Sequence, residues 1–274
     1  RQDEYGANPN AFKYIMILTG LVFLLIAPEN LSTAMLLFGV VCMMMFIGRV
    51  SAKKLFGMLG ILALVGGVAV GILMAIPAKT LHNTPGLHRF ETWQNRVSGF
   101  FEKEEVPAAK FDIDKDAQVA HARIAIATSH VVGKGPGNSI QRDFLSQAFS
   151  DFIFAIVIEE LGFVGASLIL ALLFFLILRI ILVGIRAKNP FNSMMAIGIG
   201  GMILVQTFIN IGGISGLIPS TGVTFPFLSQ GGNSLWVLSV AIAFVLNIDA
   251  SEKRAKMEQE GMVFEEKGKI KPYY

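Results

Sequence analysis

Charged residues are scarce in this chain: 16% of its 274 residues are Asp, Glu, Lys or Arg, against about 25% in an ordinary soluble domain, which excludes a conventionally solvated globule. The single cysteine, Cys42, lies inside an apolar run and excludes both an intrachain disulfide and a cysteine-based metal site. His82, His88, His121 and His130 have neither zinc-ligand spacing nor a serine-triad arrangement. No Walker sequence occurs, and no internal repeat or low-complexity tract. The net charge of +3 implies no nucleic acid, because a membrane protein sorts its basic residues by side. The chain begins Arg1-Gln2-Asp3-Glu4-Tyr5 with no initiator Met and no signal peptide, and is expected to be the C-terminal part of a longer protein. Apolar residues dominate, at 53% with 22 Phe and 12 Met and a mean hydropathy of +0.60.

The expected fold is all-α, a single polytopic membrane domain over 1–274. Apolar runs at Phe12 to Ala27, Thr33 to Ile47, Leu55 to Ile76, Leu161 to Gly184, Ser193 to Ile211 and Leu235 to Ile248 predict six transmembrane helices, three within 12–76 and three within 151–248. Several runs fall short of the about 20 residues a straight span needs, so their ends should extend into flanking polar residues. Pro28 should end one helix, and Ser32 or Thr33 should cap the next, leaving Glu29 in a tight turn. Arg49, Lys53, Lys54, Arg186, Lys188 and the Lys-rich tail 249–274 mark the cytoplasmic side, whereas the Pro28 turn and Gly212 to Gly232 have no Lys or Arg. Parity then puts the Pro28 turn, the segment 77–150 and the loop 212–232 on one outer face. The long outer segment should hold helices of its own, one at His88 to Glu105 lying on the membrane surface and one at Ala117 to Val132.

Asp151 opens the fourth apolar run, where an ionised group is costly unless it sits in a wet cavity. A carboxylate there is a candidate general base; alternatively it serves only the dipole of the helix it precedes. At about 100° per residue Glu159 lies some 80° from Asp151 around a helix and Glu160 on the opposite side, so the three form no common face. The two glutamates read either as ligands of substrate or as a structural pair binding backbone groups or a cation near a kink. Gly133 to Arg142 offers backbone N–H groups flanked by Lys134 and Arg142, a cradle for pyrophosphate or a plain turn. Asp112-Ile113-Asp114-Lys115-Asp116 fails the EF-hand pattern at Ala117 and Arg123, leaving a D-x-D motif or a solvated loop. Gly212 to Gly232 suits a cavity wall, since irregular backbone at membrane depth needs protein or water around it, and Gln206, Asn210 and Gln230 add polar contacts.

Three segments together resemble the SEDS (shape, elongation, division and sporulation) glycosyltransferases. Pro28-Glu29-Asn30-Leu31-Ser32-Thr33 resembles their P-D-L/F-G-T turn. Gly135-Pro136-Gly137-Asn138-Ser139-Ile140-Gln141, then Ser150-Asp151-Phe152-Ile153-Phe154-Ala155 and Glu159-Glu160-Leu161-Gly162, resemble G-x-G-N-S-x-Q, H-T-D-F-I-F-A and E-E-L-G. Gly222 to Ser234 resembles G-x-x-x-P-F-x-S-Y-G-G-S-S. Phe149 and Ser150 stand for the usual His-Thr, Glu29-Asn30 for Asp-Leu, Ser32 for Gly and Gln230 for Tyr, while the acid is kept. Asn138-Ser139-Ile140-Gln141 and Thr224 lean toward the division branch of the family over the elongation branch.

The resemblance implies an inverting lipid II polymerase of bacterial cell division, multi-pass in the cytoplasmic membrane with its active site outward. It implies Asp151 as catalytic base, and Lys134, Gly137, Asn138, Ser139, Gln141, Arg142, Glu159, Glu160, Pro226, Ser229, Gly231 and Gly232 as substrate-binding residues. No cofactor is required, although a divalent cation could assist. The implied partners are lipid II, a class B penicillin-binding transpeptidase and other divisome membrane proteins, without nucleic acid. A flippase for lipid-linked precursors and a scaffold recruiting a transpeptidase are the competing readings.

Overall fold

The computed structural model describes residues 2–3, 6–7, 9–76, 94, 113–145, 149–219, 221–230 and 232–268. Apart from a two-residue antiparallel ladder, Gln2–Asp3 with Gly6–Ala7, these residues form helices and connecting loops. The helices are α1 (Pro9–Ile26), α2 (Leu31–Ile47), α3 (Ala52–Ala75), α4 (Ile113–Thr128), α5 (Ile153–Arg186), α6 (Pro190–Ser215) and α7 (Gly232–Gly268), with a 3₁₀ turn at Gln141–Phe144. Four of them carry segments long and apolar enough to cross a membrane: Ala52–Ile72, Ile153–Arg186, Pro190–Ser215 and Asn233–Gln259. The apolar stretches of α1 and α2, Phe12–Ile26 and Leu31–Ile47, are shorter. The all-α polytopic architecture expected from hydropathy is therefore present.

Helix α6 is the central element, touching α2, α4, α5 and α7. Its small residues make this possible. A Cβ built on Gly201 would overlap Met43 Cε of α2, and one on Gly198 would press on Met44 Sδ, so glycine lets the two backbones approach and methionine fills the remaining space. The core between α5 and α6 includes the buried Ile177, Ile180, Ala196 and Ile203, and Ala122 and Ala125 of α4 pack into the same cluster. Large apolar side chains on α1, α3 and the outward side of α5, among them Leu24, Leu64 and Leu168, are exposed. Such a surface suits contact with lipid.

Element ends depart from the sequence reading where capping and helix propensity override hydropathy. Helix α1 ends at Ile26, and the N-cap of α2 is Asn30, whose Oδ1 accepts from the Thr33 backbone N–H at 3.1 Å, instead of Ser32 or Thr33. Asn30→Ala removes that acceptor and is expected to cost about 1 kcal/mol, read as a lower thermal midpoint with unchanged helix content. Helix α4 runs over Ile113–Thr128 where Ala117 to Val132 was expected, so Ile113 to Asp116 form a helical turn and not a solvated loop. Helix α7 continues through 249–268 where a separate tail was expected, because Glu, Lys, Ala, Met and Gln, all good helix formers, dominate that stretch. Its extension is tied to the α5–α6 connection: Glu252 Oε1 accepts from the Lys188 N–H at 3.0 Å, and Lys188 Nζ donates to Gln259 Oε1 at 3.1 Å. Except for Gln94, the surface helix expected at 88–105 lies outside the described residues.

Candidate functional site

Helix α5 is broken two turns after it starts. Gly162 has φ 70° and ψ −176°, in a region open essentially to glycine alone. In a continuous helix the carbonyls of Glu159 and Glu160 would accept from the N–H groups of Phe163 and Val164. Here they accept from Lys134 N–H (3.0 Å) and Gly135 N–H (2.8 Å), while Phe163 and Val164 donate to the carbonyls of His130 (3.4 Å) and Val131 (3.2 Å). The loop after α4 is thus threaded into the break and satisfies the backbone groups that the break frees. Gly133, at φ 76°, faces Gly162, and a Cβ on either would strike the other's backbone nitrogen.

The same break seats Glu159. Its side chain is fully buried, and Lys134 Nζ reaches Oε1 at 2.5 Å with 24% of the lysine side chain still exposed. Ser139 Oγ donates to Oε2 at 2.5 Å, and the backbone N–H groups of Ile140 and Gln141 point at the carboxylate from 3.4 and 3.3 Å. The Gly-rich run is therefore an anion cradle, as its composition suggested, with an internal carboxylate as its anion. Of the residues expected to bind substrate, Lys134 and Ser139 turn their side chains to Glu159, while Gln141 gives it a backbone N–H and pairs its side-chain Oε1 with His121 Nδ1 at 2.6 Å. Lys134→Met would leave that buried charge without its cation at a cost on the order of 3 kcal/mol. The double variant with Glu159→Leu should recover much of the loss, a pattern that thermal midpoints in detergent would reveal.

Asp151 occupies a second cluster at the start of α5. The helix begins at Ile153 with Phe152 as N-cap, which places Asp151 one residue ahead of the cap. The residue is half-buried, and Ser150 Oγ donates to its Oδ1 at 2.9 Å. Its backbone is clamped from two sides. Asn210 Nδ2, on α6, donates to the carbonyls of Asp151 (2.8 Å) and Val223 (2.7 Å). Ser229 Oγ donates to the Ser150 carbonyl at 2.6 Å and accepts from the Phe225 N–H at 2.7 Å, while the Gln230 N–H donates to the Phe149 carbonyl at 2.7 Å. Phe225 and Phe154, both buried, stack with centroids 4.7 Å apart. These contacts hold the loop 222–230 against the acid-bearing segment, so three stretches far apart in sequence converge on Asp151.

The remaining residues fall in different places. Pro226 is buried in the clamp loop. Gly232 begins α7, and Gly231 lies outside the described residues. Gly137 and Asn138 are exposed at the loop tip, where Asn138 Nδ2 donates to the Lys134 carbonyl at 3.1 Å. Glu160 is half-buried and contributes its backbone carbonyl to the threaded loop. Among the described residues the Arg142 side chain makes one long contact, from Nε to Asp143 Oδ1 at 3.4 Å. Among the described residues no group of three or more His, Cys, Asp and Glu comes together as a metal-ligand set. The residue that sequence reading undervalued is Asn210, an amide in an apolar helix whose importance shows only once both carbonyls are in place. Among the described residues its buried Oδ1 has no hydrogen-bond partner.

Comparison with known proteins adds relatives to this geometry. The model of a family described as "Cell cycle protein", FtsW/RodA/SpoVE, matches residues 4–254. The chain is 57% identical over 143 residues to the "Probable peptidoglycan glycosyltransferase FtsW" of Lactococcus lactis, a match covering 52% of this chain and 34% of that protein. It is 33% identical over 239 residues to the protein of the same name from Nitrosomonas europaea, covering 86% and 56%. Its match thus spans only about a third to just over half the length of these two relatives. Among solved structures, a chain from a study of the "structural coordination of polymerization and crosslinking by a peptidoglycan synthase complex" superposes with a TM-score of 0.64 at 22% identity. That match covers 87% of this chain and 61% of the other, a likeness of fold.

Proposed function

The chain belongs to the FtsW/RodA/SpoVE family of cell cycle proteins, and from that premise we propose that it carries the catalytic part of a peptidoglycan glycosyltransferase that polymerises lipid II during cell division. The observation that supports this reading most is the clamp on Asp151. A half-buried carboxylate, held at the start of a broken membrane helix by Asn210, Ser229 and the loop 222–230, is a group kept in place with its side chain committed, among the described residues, to Ser150 alone.

In the proposed reaction the Asp151 carboxylate takes the proton from the 4-hydroxyl of the GlcNAc of one lipid-linked disaccharide. That oxygen attacks the anomeric carbon of the MurNAc of a second, with inversion. The bond from that carbon to the pyrophosphate oxygen breaks, and its electron pair leaves with undecaprenyl pyrophosphate, which needs no proton to depart. One general base therefore suffices, in contrast to the carboxyl pairs of most glycosidases. Arg142 is the cation assigned to the leaving pyrophosphate. Lys134, Ser139, Gln141 and Glu159 shape the loop that carries Arg142. Gly137, Asn138 and Glu160 are assigned to the substrate-facing edge of that loop and its break, and Pro226, Ser229, Gly231 and Gly232 to the wall beside Asp151. A divalent cation at the pyrophosphate is compatible with this scheme.

The site is assigned to the outer face of the bacterial cytoplasmic membrane, because the basic residues cluster on the connections at the opposite ends of the helices. A class B penicillin-binding transpeptidase and other divisome membrane proteins are the proposed partners, in keeping with the synthase complex that supplies the similar fold. The test is to incubate purified lipid II with the full-length protein and its transpeptidase and to measure both glycan strands and released undecaprenyl pyrophosphate. Both products should appear together. Lipid II that crosses a membrane with neither product formed would overturn the enzyme reading in favour of a transporter.

A further inference from the structure

A cavity of about 390 Å³ opens between α2, α6 and α7, within the roughly 300–1,000 Å³ usual for small-ligand sites. None of the residues assigned above to catalysis or substrate binding lines it. Three helices grade its wall in the same direction. At its first turn α2 presents Asn30 and Thr33, with Leu36 one turn deeper; α7 presents Asn233 and Ser234, with Val237 and Leu238 one turn deeper. Near its C-terminal end α6 presents Gln206, with Met202 one turn deeper. A turn is about 5.4 Å, so a neutral polar rim stands above an apolar floor.

The rim has hydrogen-bonding capacity to spare. Gln206 spends its Nε2 on the Thr224 carbonyl (2.9 Å) and hydroxyl (3.3 Å), and among the described residues its Oε1 stays open as an acceptor. Asn30 spends Oδ1 on its cap and keeps its NH₂. Among the described residues no Asp, Glu, Lys, Arg or His lines the cavity, so a pyrophosphate placed there would lose its hydration with no cation from them to replace it. The floor, formed among the described residues by Leu36, Met202, Val237 and Leu238, suits a methyl group lying below an amide.

We propose that this cavity binds the acetamido group of an uncharged N-acetylated sugar, the methyl resting on Leu36, Met202 and Leu238 and the amide pairing with Gln206 and Asn30. Val223, in the cavity wall, shares Asn210 with Asp151, so an occupant would be seated next to the acid-bearing segment. The inference deepens the polymerase reading and rests on it for the identity of the sugar, while its test does not depend on turnover.

In the full-length protein in nanodiscs, Ser234→Cys is labelled with a maleimide. Cys42 is buried, and its background is read from the wild type. With N,N′-diacetylchitobiose at about three times its Kd, occupancy should slow labelling about fourfold, as 1 + [L]/Kd. Cellobiose, which lacks the acetamido groups, and inorganic pyrophosphate should leave the rate unchanged at the same concentration. Adding Gln206→Leu or, should that variant not fold, Thr33→Val should weaken the protection while the elution profile stays that of Ser234→Cys. Equal protection by cellobiose, protection by pyrophosphate or farnesol alone, or no protection would overturn the proposal. Chitobiose protection in a protein that forms no strands would sink the polymerase reading and leave this site standing; strands without protection would do the reverse.

Discussion

Gly162→Val should abolish the docked loop and with it the folded outer part of the site. The substitution forces a β-branched residue into φ 70°, ψ −176°, which costs about 1–3 kcal/mol of backbone strain. Its Cβ would also collide with Gly133 N and the Val131 carbonyl. Relieving that clash means withdrawing the loop, which breaks the four backbone hydrogen bonds between 130–135 and 159–164 at about 1 kcal/mol each and opens the burial of Glu159. The total is on the order of 5 kcal/mol, an exceptional loss for a single substitution. Gly133→Val should behave in the same way, since the two glycines meet face to face. Limited proteolysis should show new cleavage between Val131 and Leu145 in either variant, and strand synthesis should be lost. A fold as resistant as the wild type would show that the loop does not depend on the break.

Asp151→Asn should lower kcat for strand formation by about 10²–10⁴-fold, the usual contribution of a general base, with little change in lipid II affinity. Asparagine retains the shape and can still accept from Ser150 Oγ through its Oδ1. The Asn210 clamp bears on the backbone carbonyl, which the substitution leaves alone. What disappears is the ability to take a proton at that position. A fall in kcat and kcat/KM together, with binding intact, is the signature of an interaction needed only in the transition state. Asn210→Ala should give a milder loss, because the base remains and only its placement loosens.

The helices were legible because a bilayer imposes one rule, long apolar runs, and hydropathy reads that rule directly. Asp151 was singled out as a candidate because an acid at the edge of such a run stands out. The lone Cys42 and the missing zinc spacing likewise narrowed the chemistry without a structure. The partner of the Gly-rich run was not legible. Gly133 to Arg142 has the composition of a phosphate cradle, and only the fold reveals that Glu159, some twenty residues later, fills it. Helical-wheel geometry compared Glu159 with Asp151 as if α5 were regular from its start, whereas Asp151 lies ahead of the helix and Gly162 interrupts it. Asn210 was hidden for a related reason. An amide set among apolar residues of a helix carries no sequence pattern, and the value of this one lies in two carbonyls contributed by distant loops.

The most direct test of the central claim measures binding and turnover in one preparation: full-length wild type and Asp151→Asn, each with the transpeptidase, given fluorescent lipid II at matched expression and folding. The account predicts equal retention of lipid II by both proteins, strands from the wild type and almost none from the variant. Strands formed by Asp151→Asn at the wild-type rate would contradict it and move the search for the base to Glu29 or Glu160.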